Sequence, residues 1–211
     1  MSRYIPADVR RKLRKEANFG CAICGAPIIE YHHIIPYSEK EHHDPDHMIA
    51  LCPNHHRPSD DEAISRDELY YRKENPKNTN EVDYSFYFDS NIPIIEIGNV
   101  EVGLGEQGRC SILKIADTDI ISVNYDSNQL GFDVNFYDKS GNLIAEISNN
   151  EWWADVESVW DMKYKSNWFK LWNNDKEVGL KIEYDTESDR ISMKGKFYFE
   201  GDAFYVHPSK I

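Results

Sequence analysis

Metal-binding residue types are concentrated in one short part of the chain. Seven of the eight histidines lie within 25 consecutive residues, from His32 to His56. Three of the four cysteines, Cys21, Cys24 and Cys52, lie in or beside the same stretch. Histidine is the commonest metal ligand and titrates near neutral pH, and cysteine thiolates bind zinc. The clustering therefore indicates metal binding, proton transfer, or both.

The outer part of this cluster has the spacing of a zinc site. Cys21 and Cys24 are separated by two residues, as are Cys52 and His55, and Gly25 follows the first pair where a tight turn needs glycine. Three thiolates and one imidazole complete a tetrahedral Zn²⁺ site and leave no position for water or substrate, so this ion would be structural. The alternative is a set of unpaired buried cysteines beside an incidental histidine.

Two runs inside the cluster resemble a known family. The run YHHIIP at 31–36 and the run LCPNHHR at 51–57 are similar to the HNH (ββα-metal) endonucleases, in the subgroup with zinc knuckles. The resemblance covers about residues 3–73 and is specific over 31–57. It implies a strand, loop, strand and helix unit that holds a catalytic metal ion in a cleft.

The resemblance also implies roles for single residues. His33 would be the general base, His32 and His56 would bind a catalytic divalent ion, Mg²⁺ or Mn²⁺, and His47 would orient the base. The family usually has asparagine at position 47 and cysteine at position 55. An exchange of duties between His55 and His56 therefore stays open.

These residue types suit phosphodiester hydrolysis. A histidine deprotonates water near neutral pH, and a bound cation neutralises the charge that develops on the phosphoryl and leaving oxygens. Arg57 lies beside the second run and is a candidate phosphate ligand, as are Arg10, Arg11 and Arg14 of the basic stretch 1–22. For that stretch a solvated helix face is the alternative.

Helix signals surround the metal-binding segment. The pattern predicts one helix over 7–17 and a second over roughly 60–73, with Ser59 and Glu62 as a capping box and Asn75 at its end.

Within the metal-binding segment, His32 and His33 are adjacent and would point to opposite faces of a regular strand, so we expect a bend or bulge there. His56 is expected just before the second helix. His42 and His43 lie in a polar loop and are expected to be largely solvated.

Beyond residue 83 the hydrophobic period changes to two, for example at Phe132, Val134 and Phe136. The sequence therefore predicts an α+β protein with a ββα-metal domain at 1–75, a linker at 76–83 and an all-β antiparallel domain at 84–211. A sandwich and a solenoid-like stack of strands both fit the β domain. The β domain would serve targeting, oligomerisation or partner binding.

The formal net charge of −13 is unusual for an enzyme that acts on nucleic acid. Residues 1–78 carry 12 Lys and Arg against 13 Asp and Glu, whereas residues 79–211 carry 12 against 24. The acidity therefore belongs to the β domain. All five tryptophans lie there between Trp152 and Trp172, where they could form a stacking surface for bases or a partner-binding patch. Packing in the core and at edges is favoured, because the surrounding acidity would repel nucleic acid.

Two classes of function fit these observations. The first is a metal-dependent endonuclease that cleaves DNA, with double-stranded DNA favoured, in a restriction, mobile-element or phage-defence setting. Cutting both strands would need two copies of the active site, which a homodimer would supply. The nuclease could also be held inactive until the β domain senses a ligand or partner. The second is a non-catalytic zinc-binding module that recruits partners through the acidic β domain. The absence of a long apolar run and the cysteine usage favour a cytoplasmic protein without a membrane partner.

Overall fold

A computed structural model of the protein describes residues 4–79, 84–85, 94–103, 108–126 and 129–207. The chain divides into two compact units, residues 1–82 and 83–211. The first is a small region of helices and two strands, and the second is a large, mainly antiparallel sheet. No helix in the described ranges is long and apolar enough to cross a membrane.

The first unit places two strands between helices. Its elements are α1 (Ala7–Glu16), β1 (Glu30–His33), β2 (Met48–Leu51), α2 (Pro53–Asp60) and α3 (Arg66–Glu74), with a 3₁₀ turn at Pro45–His47 before β2. β1 and β2 pair antiparallel, and every residue of β2 is buried. Ile49 and Leu51 pack with Ile34 and with Leu69 of α3 in one apolar core.

The helix predicted over 7–17 is confirmed as α1. The helix predicted over 60–73 is confirmed in its second part as α3, whose C-cap is Asn75 as expected, but its predicted start is wrong, because α3 begins at Arg66. Two helices occupy this region, and Glu62, with φ of 56°, lies in the break between them. The N-cap of α3 is Ser65, whose hydroxyl accepts from the Glu68 N–H at 3.2 Å, and not Ser59. His56, expected just before a helix, lies inside α2, which begins at Pro53.

The strand that carries the paired histidines is regular to its end. β1 pairs with β2 without a register shift, and His33 lies opposite Met48. The chain bends immediately afterwards, at residues 34–35, where the Ile34 N–H donates to the His47 carbonyl at 2.9 Å. The bend or bulge predicted at the two histidines is therefore wrong, because both lie in a regular strand and the bend follows them.

Residues expected to begin the linker contact the first unit. The Lys77 N–H donates to the Ala22 carbonyl at 2.9 Å. The Asn78 amide donates to the carbonyls of Asn18 and Gly25 at 3.2 and 3.3 Å. These hydrogen bonds attach the chain after α3 to the turn that carries the first two cysteines.

The second unit consists of strands. In the described ranges they are β3 (Tyr84–Ser85), β4 (Ile94–Ile97), β5 (Val100–Gly103), β6 (Gly108–Ile115), β7 (Thr118–Asp126), β8 (Gln129–Tyr137), β9 (Leu143–Ser148), β10 (Glu151–Ala154), β11 (Asp161–Lys165), β12 (Trp168–Trp172), β13 (Val178–Asp185), β14 (Arg190–Phe199) and β15 (Asp202–Val206). The main path of the sheet is β11-β12-β13-β14-β8-β9-β10-β3. All pairs in these ranges are antiparallel except β4 with β14, which is parallel, so the prediction of a purely antiparallel domain is wrong at that one pair.

The sheet folds back on itself around a shared core. β14 pairs with β13 through its first half and with β15 and β8 through its second half. Trp152 of β10 packs against Phe169 of β12 with ring centroids 4.5 Å apart, although four strands separate β10 from β12 along the sheet. Both side chains are buried, so opposite parts of the sheet enclose one apolar layer. This arrangement favours the sandwich over the solenoid.

Candidate metal centres and catalytic cleft

The four residues predicted to bind zinc converge. The ligand atoms of Cys21, Cys24, Cys52 and His55 all lie within 4.8 Å of one another. The Cys24 and Cys52 sulfurs are 3.7 Å apart, and His55 Nδ1 lies 3.6 Å from the Cys21 sulfur and 3.2 Å from that of Cys52. In a tetrahedral site with Zn–S bonds of about 2.3 Å, two sulfurs lie about 3.8 Å apart. The donor set and spacing therefore fit zinc.

Two local structures bring these ligands together. The first cysteine pair lies in a tight turn in which the Gly25 N–H donates to the Cys21 carbonyl at 2.8 Å. Gly25 has φ of 82°, a conformation that favours glycine. Cys52 is the N-cap of α2, and its carbonyl accepts from the N–H groups of His55 and His56. The first turn of α2 therefore presents His55 to the cysteines.

The Cys24 thiol resists ionisation unless a cation is bound. Desolvation and the neighbouring thiols Cys21 and Cys52 raise the pKa of Cys24 to about 12, which opposes ionisation in the absence of a metal. A bound dication reverses this preference, because it stabilises the thiolates directly. All four ligands come from the protein, so this centre would fix the shape of the segment and leave no coordination position for substrate.

A second cluster joins α2 to β1. His32, His56 and Asp60 place their ligand atoms within 4.8 Å of one another. The two carboxylate oxygens of Asp60 lie 3.2 Å from His32 Nδ1 and 3.0 Å from His56 Nδ1. The imidazole rings meet at 88° with centroids 5.2 Å apart. Two imidazoles and one carboxylate with open positions make a donor set that suits a divalent ion.

Sequence reasoning missed Asp60. His56 and Asp60 are four residues apart and share one face of α2, so both side chains reach the end of β1. The i, i+4 spacing was visible in the sequence. It had no meaning there, because no helix was predicted over residues 53–60.

His33 lines the same cleft as this cluster. The cleft has a volume of about 770 Å³ and is lined by His32, His33, His56 and Asp60, and also by Tyr37 and Arg66. Desolvation lowers the pKa of His33, with smaller contributions from the neighbouring histidines. Desolvation, followed by His56, likewise lowers the pKa of His32. Both imidazoles are therefore held in the neutral form, which can accept a proton or bind a metal.

The backbone of His42 orients the His33 ring. His33 Nε2 lies 3.1 Å from the His42 carbonyl oxygen, which only accepts, so Nε2 carries the proton and Nδ1 keeps its lone pair. The His42 ring is fixed as well: Nε2 donates to the Ile35 carbonyl at 2.9 Å, and Nδ1 accepts from the Asp44 N–H at 3.1 Å. His42 is buried, so the expectation that it is solvated is wrong. No pattern of residues indicated that the loop folds back onto β1.

His47, expected to orient the base, contacts other residues. Its Nδ1 lies 2.8 Å from the Tyr70 hydroxyl of α3, and its ring meets the edge of the His42 ring at a centroid distance of 6.0 Å. Its carbonyl accepts from Ile34, which follows His33. The side chain of His47 therefore reaches His33 only through His42, and its backbone contacts the residue that follows His33.

The arginines proposed as phosphate ligands are not among the described residues that line the cleft. Arg14 is buried and donates to the Tyr31 hydroxyl. Arg10 stacks on Tyr4, and Arg57 is exposed on α2. The arginine that does line the cleft is Arg66, which also pairs with Glu39.

Comparison with known proteins agrees with the resemblance. Residues 21–65 match the family model described as HNH endonuclease, and the match includes both clusters. The match does not extend to the second unit. No curated protein and no solved structure matches the chain.

Proposed function

We propose that the segment matching the HNH endonuclease family is the active part of a metal-dependent nuclease that hydrolyses phosphodiester bonds of DNA. The observation that carries the proposal is the convergence of His32, His56 and Asp60 in the cleft that His33 also lines. Three residues from β1 and α2 would thereby form a cation site. The same cleft contains the imidazole of His33, which keeps a lone pair on Nδ1.

His33 takes the role of general base. Its Nε2 proton is engaged by the His42 carbonyl, and Nδ1 accepts a proton from the attacking water. The bond from that water to phosphorus then forms as the bond from phosphorus to the leaving oxygen breaks. Desolvation lowers the pKa of His33, which favours the neutral ring that can accept the proton.

The cation site neutralises charge. Mg²⁺ or Mn²⁺ held by His32, His56 and Asp60 would stabilise the charge on the phosphoryl and leaving oxygens. Arg66 lines the cleft and offers a guanidinium for a neighbouring phosphate oxygen. The zinc tetrad does not take part in the reaction and holds the first turn of α2 in place.

The competing function is a non-catalytic zinc module. Such a module uses the Cys21 tetrad but has no need for a second ligand cluster that lines a cleft. A DNA cleavage assay separates the two functions. Zinc-loaded protein is incubated with plasmid and Mg²⁺ or Mn²⁺, and zinc content and thermal unfolding are measured in parallel.

We expect nicking or linearisation of the plasmid, and we expect His33→Ala to reduce it at least about 100-fold, since general-base catalysis contributes roughly 10²–10⁴. His43→Ala is the matched control, because His43 lies beside His33 but outside the metal cluster, and it should retain most of the activity. Full activity in His33→Ala would refute the role of the base. Absence of cleavage by folded, zinc-loaded wild type would favour the module.

A further inference from the structure

Cations of the second unit are concentrated in one part of its sheet. Between residues 161 and 199 the chain carries 8 Lys and Arg against 7 Asp and Glu. The rest of residues 79–211 carries 4 against 17. An acidic unit therefore contains one region whose charge is reversed relative to its surroundings.

Four of these lysines form a row across four neighbouring strands. Lys163 of β11 lies opposite Lys170 of β12, Lys170 lies opposite Lys181 of β13, and Lys181 lies opposite Lys194 of β14. Directly opposed residues share a face of the sheet, so all four side chains leave the same face. We call these four residues the lysine row.

The row lies on the outer face. The residues that alternate with it, such as Phe169, Leu171, Ile182 and Met193, are buried in the core. At strand spacings of about 4.8 Å the row spans about 14 Å. It runs across the strands, as an extended chain laid over the sheet would run.

Like charges placed directly opposite each other destabilise a sheet. Lys170 shows this cost: desolvation, and then the positive charges of Lys181 and Lys194, lower its pKa. Lys181 pairs with the carboxylate of Glu183, which offsets one charge of the row. The lysine row therefore lowers the stability of the sheet and holds like charges side by side. This is the charge arrangement of an anion-binding site.

A cavity and aromatic side chains adjoin the row. A cavity of about 490 Å³ is lined by Lys170, Lys181 and Lys194, by the further lysines Lys176 and Lys196, and by a single carboxylate among the described residues, Glu177. Trp168 and Trp172 are on the same face of β12 as Lys170, and both are partly exposed. The Lys170 ammonium lies 4.4 Å from the Trp172 ring centroid, and the ammonium of Lys163 lies 5.7 Å from that of Trp168.

We propose that the lysine row, with Trp168 and Trp172, is a binding surface for single-stranded nucleic acid. Phosphates would lie along the row, and bases would stack on the tryptophans, the combination that sequence-tolerant single-strand binding uses. Trp168 and Trp172 flank Lys170 along β12. Stacking on them needs exposed base faces, which unpaired bases offer and a duplex does not. The choice of nucleic acid over other polyanions rests on the proposed nuclease function. The sequence-based expectation that acidity repels nucleic acid does not apply here, because residues 161–199 carry a small positive net charge.

The test is direct binding without cleavage. The intact zinc-loaded chain with His33→Ala is titrated into a fluorescein-labelled 12-nucleotide oligothymidylate without Mg²⁺ or Mn²⁺, and anisotropy is read at several salt concentrations. The pair Lys170→Gln and Lys194→Gln removes two charges from the row. The pair Lys114→Gln and Lys139→Gln removes two charges elsewhere in the same unit and is the matched control.

We expect the row variant to weaken binding at least about tenfold at low salt and to reduce the salt slope by about 1.4, since each single-strand phosphate contact contributes about 0.7. The control pair should change affinity less than twofold. Trp168→Ala should weaken binding at least about fivefold with an unchanged salt slope, because stacking does not release counterions. Thermal melting checks that the variants are folded, and relief of like-charge contacts predicts that the row variant melts no lower than its parent.

Equal losses in the row and control pairs, or no binding by the folded parent, would overturn the proposal. Tighter binding of a duplex of the same length would overturn the single-strand assignment. Oligonucleotide binding is measured without cleavage, so it does not depend on catalysis. Loss of plasmid cleavage with intact oligonucleotide binding would count against the proposed nuclease alone, and cleavage without oligonucleotide binding would count against the lysine row alone.

Discussion

Replacing Asp60 by asparagine tests the cation site, because this residue was identified by tertiary geometry alone. The carboxylate lies between His32 and His56, with one oxygen 3.2 Å and the other 3.0 Å from a ring nitrogen. An asparagine side chain would keep the shape and one acceptor oxygen but would lose the charge. We therefore expect Asp60→Asn to weaken the binding of Mg²⁺ or Mn²⁺ without unfolding the unit.

The size of the effect follows from charge and exposure. A dication and a carboxylate about 4 Å apart attract by about 8 kcal/mol at an effective dielectric constant of about 20. The Asp60 side chain is 56% exposed, so solvent screening and a replacing water recover most of this energy. Changes to residues that only support a metal ligand already cost about 10–100-fold in affinity. Removing the charge of a direct ligand should weaken metal binding at least about 100-fold, or by about 2.7 kcal/mol.

The assay measures cleavage of a labelled DNA duplex as a function of Mg²⁺ or Mn²⁺ concentration. The half-maximal metal concentration should rise at least about 100-fold in Asp60→Asn. Asp61→Asn is the matched control, because Asp61 is an exposed carboxylate at the end of the same helix and lies outside the cluster. An unchanged metal dependence in a folded Asp60→Asn protein would refute the assignment of Asp60 as a ligand.

Three further predictions concern the scaffold of the first unit. Cys52→Ser, or removal of zinc by a chelator, should unfold the first unit and leave the strands of the second unit folded. Circular dichroism and NMR would follow this change, and Cys110→Ser should have no such effect. Ser65→Ala should lower the free energy of unfolding by about 1 kcal/mol in a denaturant titration, because it removes the N-cap of α3; no change would contradict the cap. Tyr70→Phe should cost about 1 kcal/mol, because it removes the hydrogen bond to His47, while the exposed Tyr71→Phe should be neutral in the same titration.

Local spacing was sufficient to predict the tetrad. Cys21 and Cys24 can share an ion because a tight turn brings residues three apart together, and the same holds for Cys52 and His55 at a helix start. The run that contains His33 was likewise recognisable from neighbouring residues. The alternating hydrophobic pattern predicted strands beyond residue 83, because period two follows from the backbone of a strand.

Contacts between distant segments could not be predicted from the sequence. Asp60 joins His32 only because α2 packs against the end of β1. The sequence signals did not predict α2, because they indicated a single helix over about 60–73. His42 supports His33 only because a polar loop folds back over the strand. Neither contact leaves a periodic signal, since each depends on how two elements pack.

The sequence by itself determined the ligand types, the zinc spacing and the strand content, because these depend on residue chemistry and on short-range backbone geometry. The tertiary structure alone decided the third residue of the candidate cation site and the lysine row. Lys163, Lys170, Lys181 and Lys194 follow one another at intervals of 7, 11 and 13 residues, so no period relates them. They form a row because turn lengths and a register shift at Leu171 and Trp172 set which residues lie opposite each other.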